Sequence, residues 1–201
     1  MMPFAARLLA LLIAVAAIAV PAPSRAAGDA GDFISDLGQR TVQILAANLA
    51  ERERETRFRA IFDEGFDVPA IARFVLGTYW RTASDEQRRT FLTLFETYVV
   101  HVYTVRFNEY SGQQLKVTAA RAEGDDAALV QSVIAQPSGA PPLRVDWRVS
   151  RTDRGYRIND VVVEGVSMAI TQRQEFASVI QRNGGQIDAL LKLLREKTGA
   201  K

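Results

Sequence analysis

Apolar positions recur at helical spacing through the first half of the chain and at a spacing of two through most of the second. Residues 33–49 place Phe33, Leu37, Ile44, Leu45 and Leu49 near one stripe, which predicts a helix. Residues 52–62 are heavily charged and end on Phe58, Ile61 and Phe62, as in a mostly solvated helix with an apolar tip. Asp67 supplies an N-cap and Pro69 a first turn for a short helix, which Gly77 is expected to end in a left-handed cap. Ser84 and Gln87 have the spacing of a capping box. The pattern it opens is the longest in the chain and runs to about Tyr110, where Ser111-Gly112 stops it.

After Gly112 the period changes. Leu115, Val117 and Ala119 alternate with Lys116 and Thr118, and a turn at 124–126 leads into 127–135, apolar on both faces. Leu143, Val145, Trp147 and Val149 alternate strictly with polar residues, the mark of a half-buried strand. Asp153-Arg154-Gly155 is a hairpin signal, and Tyr156 to Val163 forms a fourth strand. No helix-length segment separates these four strands, so antiparallel neighbours are expected. Two helices follow, at about Ser167–Arg182 and Ile187–Lys197, with Gly184-Gly185 between them. The predicted class is α+β: an antiparallel sheet of about four strands with helices over one face.

The first 26 residues have a different pattern. Arg7 precedes an unbroken apolar run of 13 residues, Leu8 to Val20, and Pro21, Pro23 and the small residues Ser24 and Ala26 follow. That run is short for a bilayer span and fits an export leader cleaved after Ala26, leaving 27–201 as one domain. The alternative is an uncleaved N-terminal anchor. The chain carries 25 basic and 23 acidic residues. Residues 1–26 hold two of the bases and no acid, so the remaining domain is formally neutral. It lacks the basic surplus expected of a nucleic-acid binder. With no cysteine and one histidine, His101, thiolate zinc sites, cysteine nucleophiles and multi-histidine metal sites are excluded.

Candidate chemistry is sparse. Gly165-Val166-Ser167-Met168-Ala169 approaches a nucleophile elbow, but the elbow needs a parallel sheet and a histidine after the serine, and His101 precedes it. Ser167 reads better as a helix N-cap. Asp160 and Glu164 flank an apolar stretch, where an unpartnered acid is costly. A salt bridge or hydrogen bond to Arg73, Arg81 or Arg173 is the expected compensation.

The aromatics are unevenly spread: 12 of the 17 lie between Phe58 and Tyr110. On the long helix Phe91, Phe95, Tyr98, Val102 and Val105 form one stripe, and Val99, Tyr103, Phe107 and Tyr110 a second beside it. That arc is wider than a surface helix needs. It serves either an ordinary core against the sheet or a ligand cavity.

Several blocks resemble the MlaC, or toluene-tolerance, family. They are Phe66-Asp67 with Ile71-Ala72-Arg73, Val75-Leu76-Gly77 and Trp80-Arg81, then Ser84, Gln87, Phe91 and Leu94-Phe95. Tyr110-Ser111-Gly112 is similar to the family's helix-to-sheet junction. Asp160-Val161, Val163-Glu164-Gly165-Val166-Ser167, Arg173 and Phe176 resemble its C-terminal signature. Tyr156 stands where a tryptophan is expected, and Gln172 where the family often has an aromatic.

The resemblance implies a periplasmic phospholipid carrier without catalytic residues, metal or cofactor. Its expected partners are a phospholipid or related lipid, such as a hopanoid, an inner-membrane ABC transporter complex with its membrane-anchored periplasmic subunit, and an outer-membrane lipoprotein complex. Lipid tails are expected in an apolar pocket between sheet and helices. Its expected helix-side walls are Phe66, Ile71, Phe74, Val75, Phe95, Tyr98 and Val102. Its expected walls from the second half of the domain are Val117, Val145, Trp147, Ile158 and Val166. Arg73, Arg81 and Arg173 are candidate headgroup or partner contacts.

Overall fold

A computed structural model describes residues 25–106 and 109–199. Among the described residues five helices come first: α1 (Arg25–Ala46), α2 (Glu51–Gly65), α3 (Val68–Leu76), α4 (Tyr79–Thr82) and α5 (Asp85–Arg106). Then come β1 (Gln114–Ala122), β2 (Ala127–Ala135), β3 (Leu143–Thr152), β4 (Gly155–Val163) and the short β5 (Val166–Ser167). Helices α6 (Met168–Arg182) and α7 (Ile187–Thr198) close the chain. The strands form one antiparallel sheet in the order β1-β2-β3-β4-β5, so the α+β class holds with one strand more than expected. The leader expectation falls almost wholly on residues 1–24, outside the described residues; α1 begins at Arg25, before the expected cleavage point.

Local chemistry sets several helix ends. The Asp67 carboxylate accepts from the Ala70 N–H at 3.1 Å, and Ser84 and Gln87 bond reciprocally, at 3.0 and 3.1 Å, as a capping box should. Gly77 ends α3 at φ +60° and ψ −129°, which is not the left-handed cap expected of it. Any Cβ there would come within 2.9 Å of the Arg173 guanidinium, so close approach as well as φ demands glycine. Helix α5 ends at Arg106, before the predicted stop, and Phe107 lies outside the described residues.

Helix α1 starts eight residues ahead of the predicted stripe. Ala27, Ala30, Ile34 and Leu37 form its buried face, against β1 and β2. Small residues carry little hydrophobic signal, yet they let the helix lie close to the sheet. A Cβ on Gly31 would touch Ala120 on β1 at 3.5 Å.

Two irregularities bend the alternation of the strands. The β1–β2 register shifts between Val117 and Ala119, so Ala120 rather than Ala119 joins Leu115 and Val117 in the core. The β3–β4 register shifts at Asn159, after which Val161 rather than Asp160 continues the core face of Tyr156 and Ile158. The β4–β5 turn is a two-residue hairpin, with Glu164 at φ +48° and Gly165 at +83°. Glu164 tolerates that conformation because both its backbone and its side chain are tied to Arg144. Its N–H donates to the Arg144 carbonyl at 3.0 Å and its carboxylate accepts from the Arg144 N–H at 2.5 Å.

The apolar interior is divided. One cluster joins α3, α5, α6 and α7 around Phe91, Phe95 and Phe176, whose rings meet edge-on at 5.8 and 6.3 Å. The other joins α1 to the sheet around Ile34, Val130, Val149 and Ile158. Phe66, at the end of α2, packs against both.

Candidate functional site

Between the two clusters lies a cavity of about 380 Å³, within the size range of small-molecule pockets. Its walls come from nearly every layer. Helix α1 supplies Ile34, Leu37, Thr41, Val42 and Leu45, and α2 supplies Phe58, Ile61 and Phe62. Helix α3 gives Ile71 and Val75, and α5 gives Phe95, Val99 and Tyr103. The sheet side presents Leu115, Ile134, Trp147 and Val161. No lysine or arginine lines the cavity, and Asp160 is its single carboxylate among the described residues.

The cavity explains the wide arc on α5. The two adjacent stripes have different tasks. Phe91 and Tyr98 turn to Phe176 in the helical cluster, Tyr98 at a ring distance of 6.2 Å. Val99 and Tyr103 face the cavity instead, and Phe95 serves both. Helix α5 packs on α7, α2 and α3, while α1 covers β1 and β2. The long aromatic helix is therefore held off the sheet, and the gap is the cavity.

Polar groups gather at two places on the wall. Asn159, Asp160 and Gln172 lie where β4 meets α6, and Gln113 and Tyr110 lie where the chain enters β1. Asn159, Asp160 and Val161 can all reach the wall in succession because the bulge breaks the strand's alternation. Asp160 is fully engaged: Oδ2 accepts from the Ser167 hydroxyl at 2.7 Å and Oδ1 from the Ala169 N–H at 3.1 Å. The Ser167 hydroxyl in turn accepts from the Ile170 N–H at 3.1 Å, so Ser167 caps α6 as expected. The expected arginine partners of Asp160 and Glu164 are replaced by these backbone and hydroxyl donors.

Tyr103 keeps 38% of its surface accessible, yet burial pushes its phenol above the ordinary range. Both hold because the ring borders a hollow that is itself enclosed by protein. Desolvation, which disfavours the phenolate, is the dominant cause.

Of the twelve expected wall residues, Phe66, Ile71, Val75, Phe95 and Trp147 line the cavity. The structure places the other seven elsewhere. Val145 and Ile158 are buried in the sheet, and Val117 packs in the α1–sheet cluster. Tyr98 lines a second, more polar hollow beside α6 and α7, and Val102 is half-buried on α5 away from the cavity wall. Phe74 is exposed, with the Arg173 guanidinium 5.1 Å above its ring, and Val166 is exposed on β5. Arg73, Arg81 and Arg173 stand off the cavity wall. Gln172 lines the cavity in place of the expected aromatic, and Tyr156 packs on Phe33 at 6.1 Å.

The sequence does not reveal the α1 contribution: Ile34, Leu37, Thr41, Val42 and Leu45 lie on a helix whose stripe is legible, but whose seat on the sheet is not.

The chain matches the model of the MlaC protein family over residues 35–196. Over 125 residues it is 26% identical to the intermembrane phospholipid transport system binding protein MlaC of Haemophilus influenzae, an alignment covering 61% of this chain and 58% of that protein. Over 123 residues it is 26% identical to the toluene tolerance protein ttg2D of Pseudomonas putida, covering 61% and 57%. The chain thus spans less than two thirds of the length of these curated relatives. In fold it is similar to the phospholipid-binding protein from Ralstonia solanacearum, solved in complex with a phospholipid. The TM-score is 0.76 at 20% identity, over 85% of this chain and 97% of that one. The family match runs from α1 into α7 and takes in all of the cavity wall but Ile34; this chain belongs to the MlaC family.

Proposed function

We propose that this chain is a periplasmic phospholipid carrier, made with a cleaved leader over residues 1–26, that holds hydrocarbon tails in the cavity between its two clusters. The observation that carries the reading is the wall itself: about 380 Å³ of space, apolar on nearly every side, with its one carboxylate already engaged by a hydroxyl and a backbone N–H. A hydrolytic site would need convergent, unsatisfied polar groups there. The family membership and the phospholipid named for the relatives support the same reading. The partners this implies are an inner-membrane ABC transporter complex with its anchored periplasmic subunit and an outer-membrane lipoprotein complex.

The energetics suit handoff. Burying a methylene is worth about 0.8 kcal/mol. Two acyl chains of roughly thirty methylenes give about 24 kcal/mol against water, beyond the practical affinity ceiling of about 18–21 kcal/mol. The competitor is a bilayer, which buries the same methylenes. The net preference is therefore small, and a small preference permits both loading and release. The wall residues Phe66, Ile71, Val75, Phe95 and Trp147 are the proposed tail contacts. Arg73, Arg81 and Arg173, on the surface around α3, α4 and α6, are the proposed contacts for anionic headgroups or partners.

Native mass spectrometry of protein isolated from the periplasm, followed by solvent extraction, tests this. The expected result is one phospholipid per chain and a mature mass beginning at Ala27. A hopanoid in the extract would change the lipid class, and ligand-free protein that takes up no lipid from vesicles would overturn the reading.

A further inference from the structure

Trp147 is the one residue of the central strand β3 on the cavity wall among the described residues, and its polar edge is fixed. The indole Nε1–H donates to the Ser132 hydroxyl oxygen at 2.9 Å, and that hydroxyl donates to the Val145 carbonyl at 2.7 Å. Ser132 is fully buried, so neither bond competes with water. Ser132 pairs in register with Val117 on β1 and Val145 on β3, whereas Trp147 pairs with Val130. The indole therefore reaches diagonally onto β2, to a rung that is not its own. Its polar edge meets the rung of Val117, Ser132 and Val145, none of which lines the cavity wall.

This rung sits between the two ends of the cavity. Asn159, Asp160 and Gln172 mark the β4–α6 end, and Gln113 and Ile134 the β1 end. Hydrocarbon lying along the sheet side of the cavity from one end to the other passes the indole. We propose that Trp147 sets the length of hydrocarbon the cavity accepts, with Ser132 as the positioning residue that holds the indole flat through its N–H. The proposal rests on the carrier reading and specifies the ligand preference of the same site. A serine fits the role on two counts. It is small enough to leave room for the ring, and its hydroxyl can accept from the indole while donating to a carbonyl.

The experiment loads delipidated protein from mixed vesicles of phosphatidylglycerols with acyl chains of about 12 to 18 carbons and reads the bound lipids by mass spectrometry. For Trp147→Phe, the ratio of longest to shortest bound chains should rise at least threefold over the unaltered protein. For Ser132→Ala, the freed indole turns up into the cavity and the ratio should fall at least threefold. In the Trp147→Phe background, Ser132→Ala should change nothing further, because the N–H through which it acts is gone; a purely structural serine would still shift the ratio there. Unchanged ratios in variants that keep the native circular dichroism would overturn the proposal. A second readout does not depend on the serine variant folding. With Trp80→Phe, Trp147 is the single tryptophan, and phospholipid brominated in mid-chain should quench at least half of its emission. Loading without quenching would overturn the proposal while leaving the carrier reading intact. Failure of the unaltered protein to load any lipid would overturn both.

Discussion

At the scale of single residues, the best-determined polar cluster is structural. Ser167 accepts from Ile170 and donates to Asp160, and Asp160 accepts again from Ala169. A carboxylate at the N-terminus of α6 is also favoured by the helix dipole. Ser167→Ala removes the cap and one of the two bonds to Asp160. It should lower unfolding free energy by about 1–2 kcal/mol, from a cap worth about 1 and a partly exposed hydrogen bond. Urea denaturation followed by far-ultraviolet circular dichroism reads this directly, and an unshifted midpoint would show the cap to be dispensable. Caps of this kind were legible in the sequence at Asp67, Ser84 and Ser167, because cap and recipient lie within three residues of each other. The partner of Asp160 was not. It depends on the bulge at Asn159 and on the β4–β5 turn, which together bring the carboxylate to the start of α6, and neither has a strong local signal.

At the scale of elements, periodicity and cap or turn signals located six of the seven helices and four of the five strands among the described residues. What it could not show is which element covers which. Of the two uses open to the aromatic arc on α5, a core against the sheet is not the one found: α1 takes that place with a face built from Ala27, Ala30, Ile34 and Leu37. Glycine makes the close approach possible, because a Cβ at Gly38 would run into the Leu115 side chain on β1. Gly38→Ala is therefore a sharp test of this contact. In an exposed helix interior the change would stabilise by about 1 kcal/mol. Here overpacking, which typically costs about 1–3 kcal/mol, has to be set against it. The expected net effect is a loss of about 1 kcal/mol. Since Gly38 and Leu115 both line the cavity, the displaced leucine should also reduce bound lipid. A variant as stable as the parent, with full lipid occupancy, would mean that α1 can shift without cost.

At the scale of the whole molecule, the interior is two clusters separated by a hollow, and that division has a thermodynamic consequence. In a solid core, each apolar side chain finds its neighbours within the protein. Here Val99 on α5, Phe58 on α2 and Trp147 on β3 face a common space, which in the proposed carrier the ligand fills. A ligand that binds the folded state alone stabilises it by about 2.7 kcal/mol at a hundred times its dissociation constant. For a chain of this size each kcal/mol moves the melting temperature by about 2–4 °C. Delipidation should therefore lower Tm by roughly 5–10 °C, and reloading from phospholipid vesicles should restore it. The loss should also be uneven. Hydrogen exchange is expected to accelerate most in α5, which packs on α2, α3 and α7 and faces the sheet side across the cavity. It should change least in β2 and β3, whose ladders are paired on both edges. Uniform acceleration would mean that lipid stabilises the fold without bridging its two halves, and an unchanged Tm would mean that the hollow is stable empty. The predicted pattern instead makes the lipid the missing layer between helices and sheet. Loading and release would then be coupled to the same parting of α5 from the sheet that lets a two-chain ligand in.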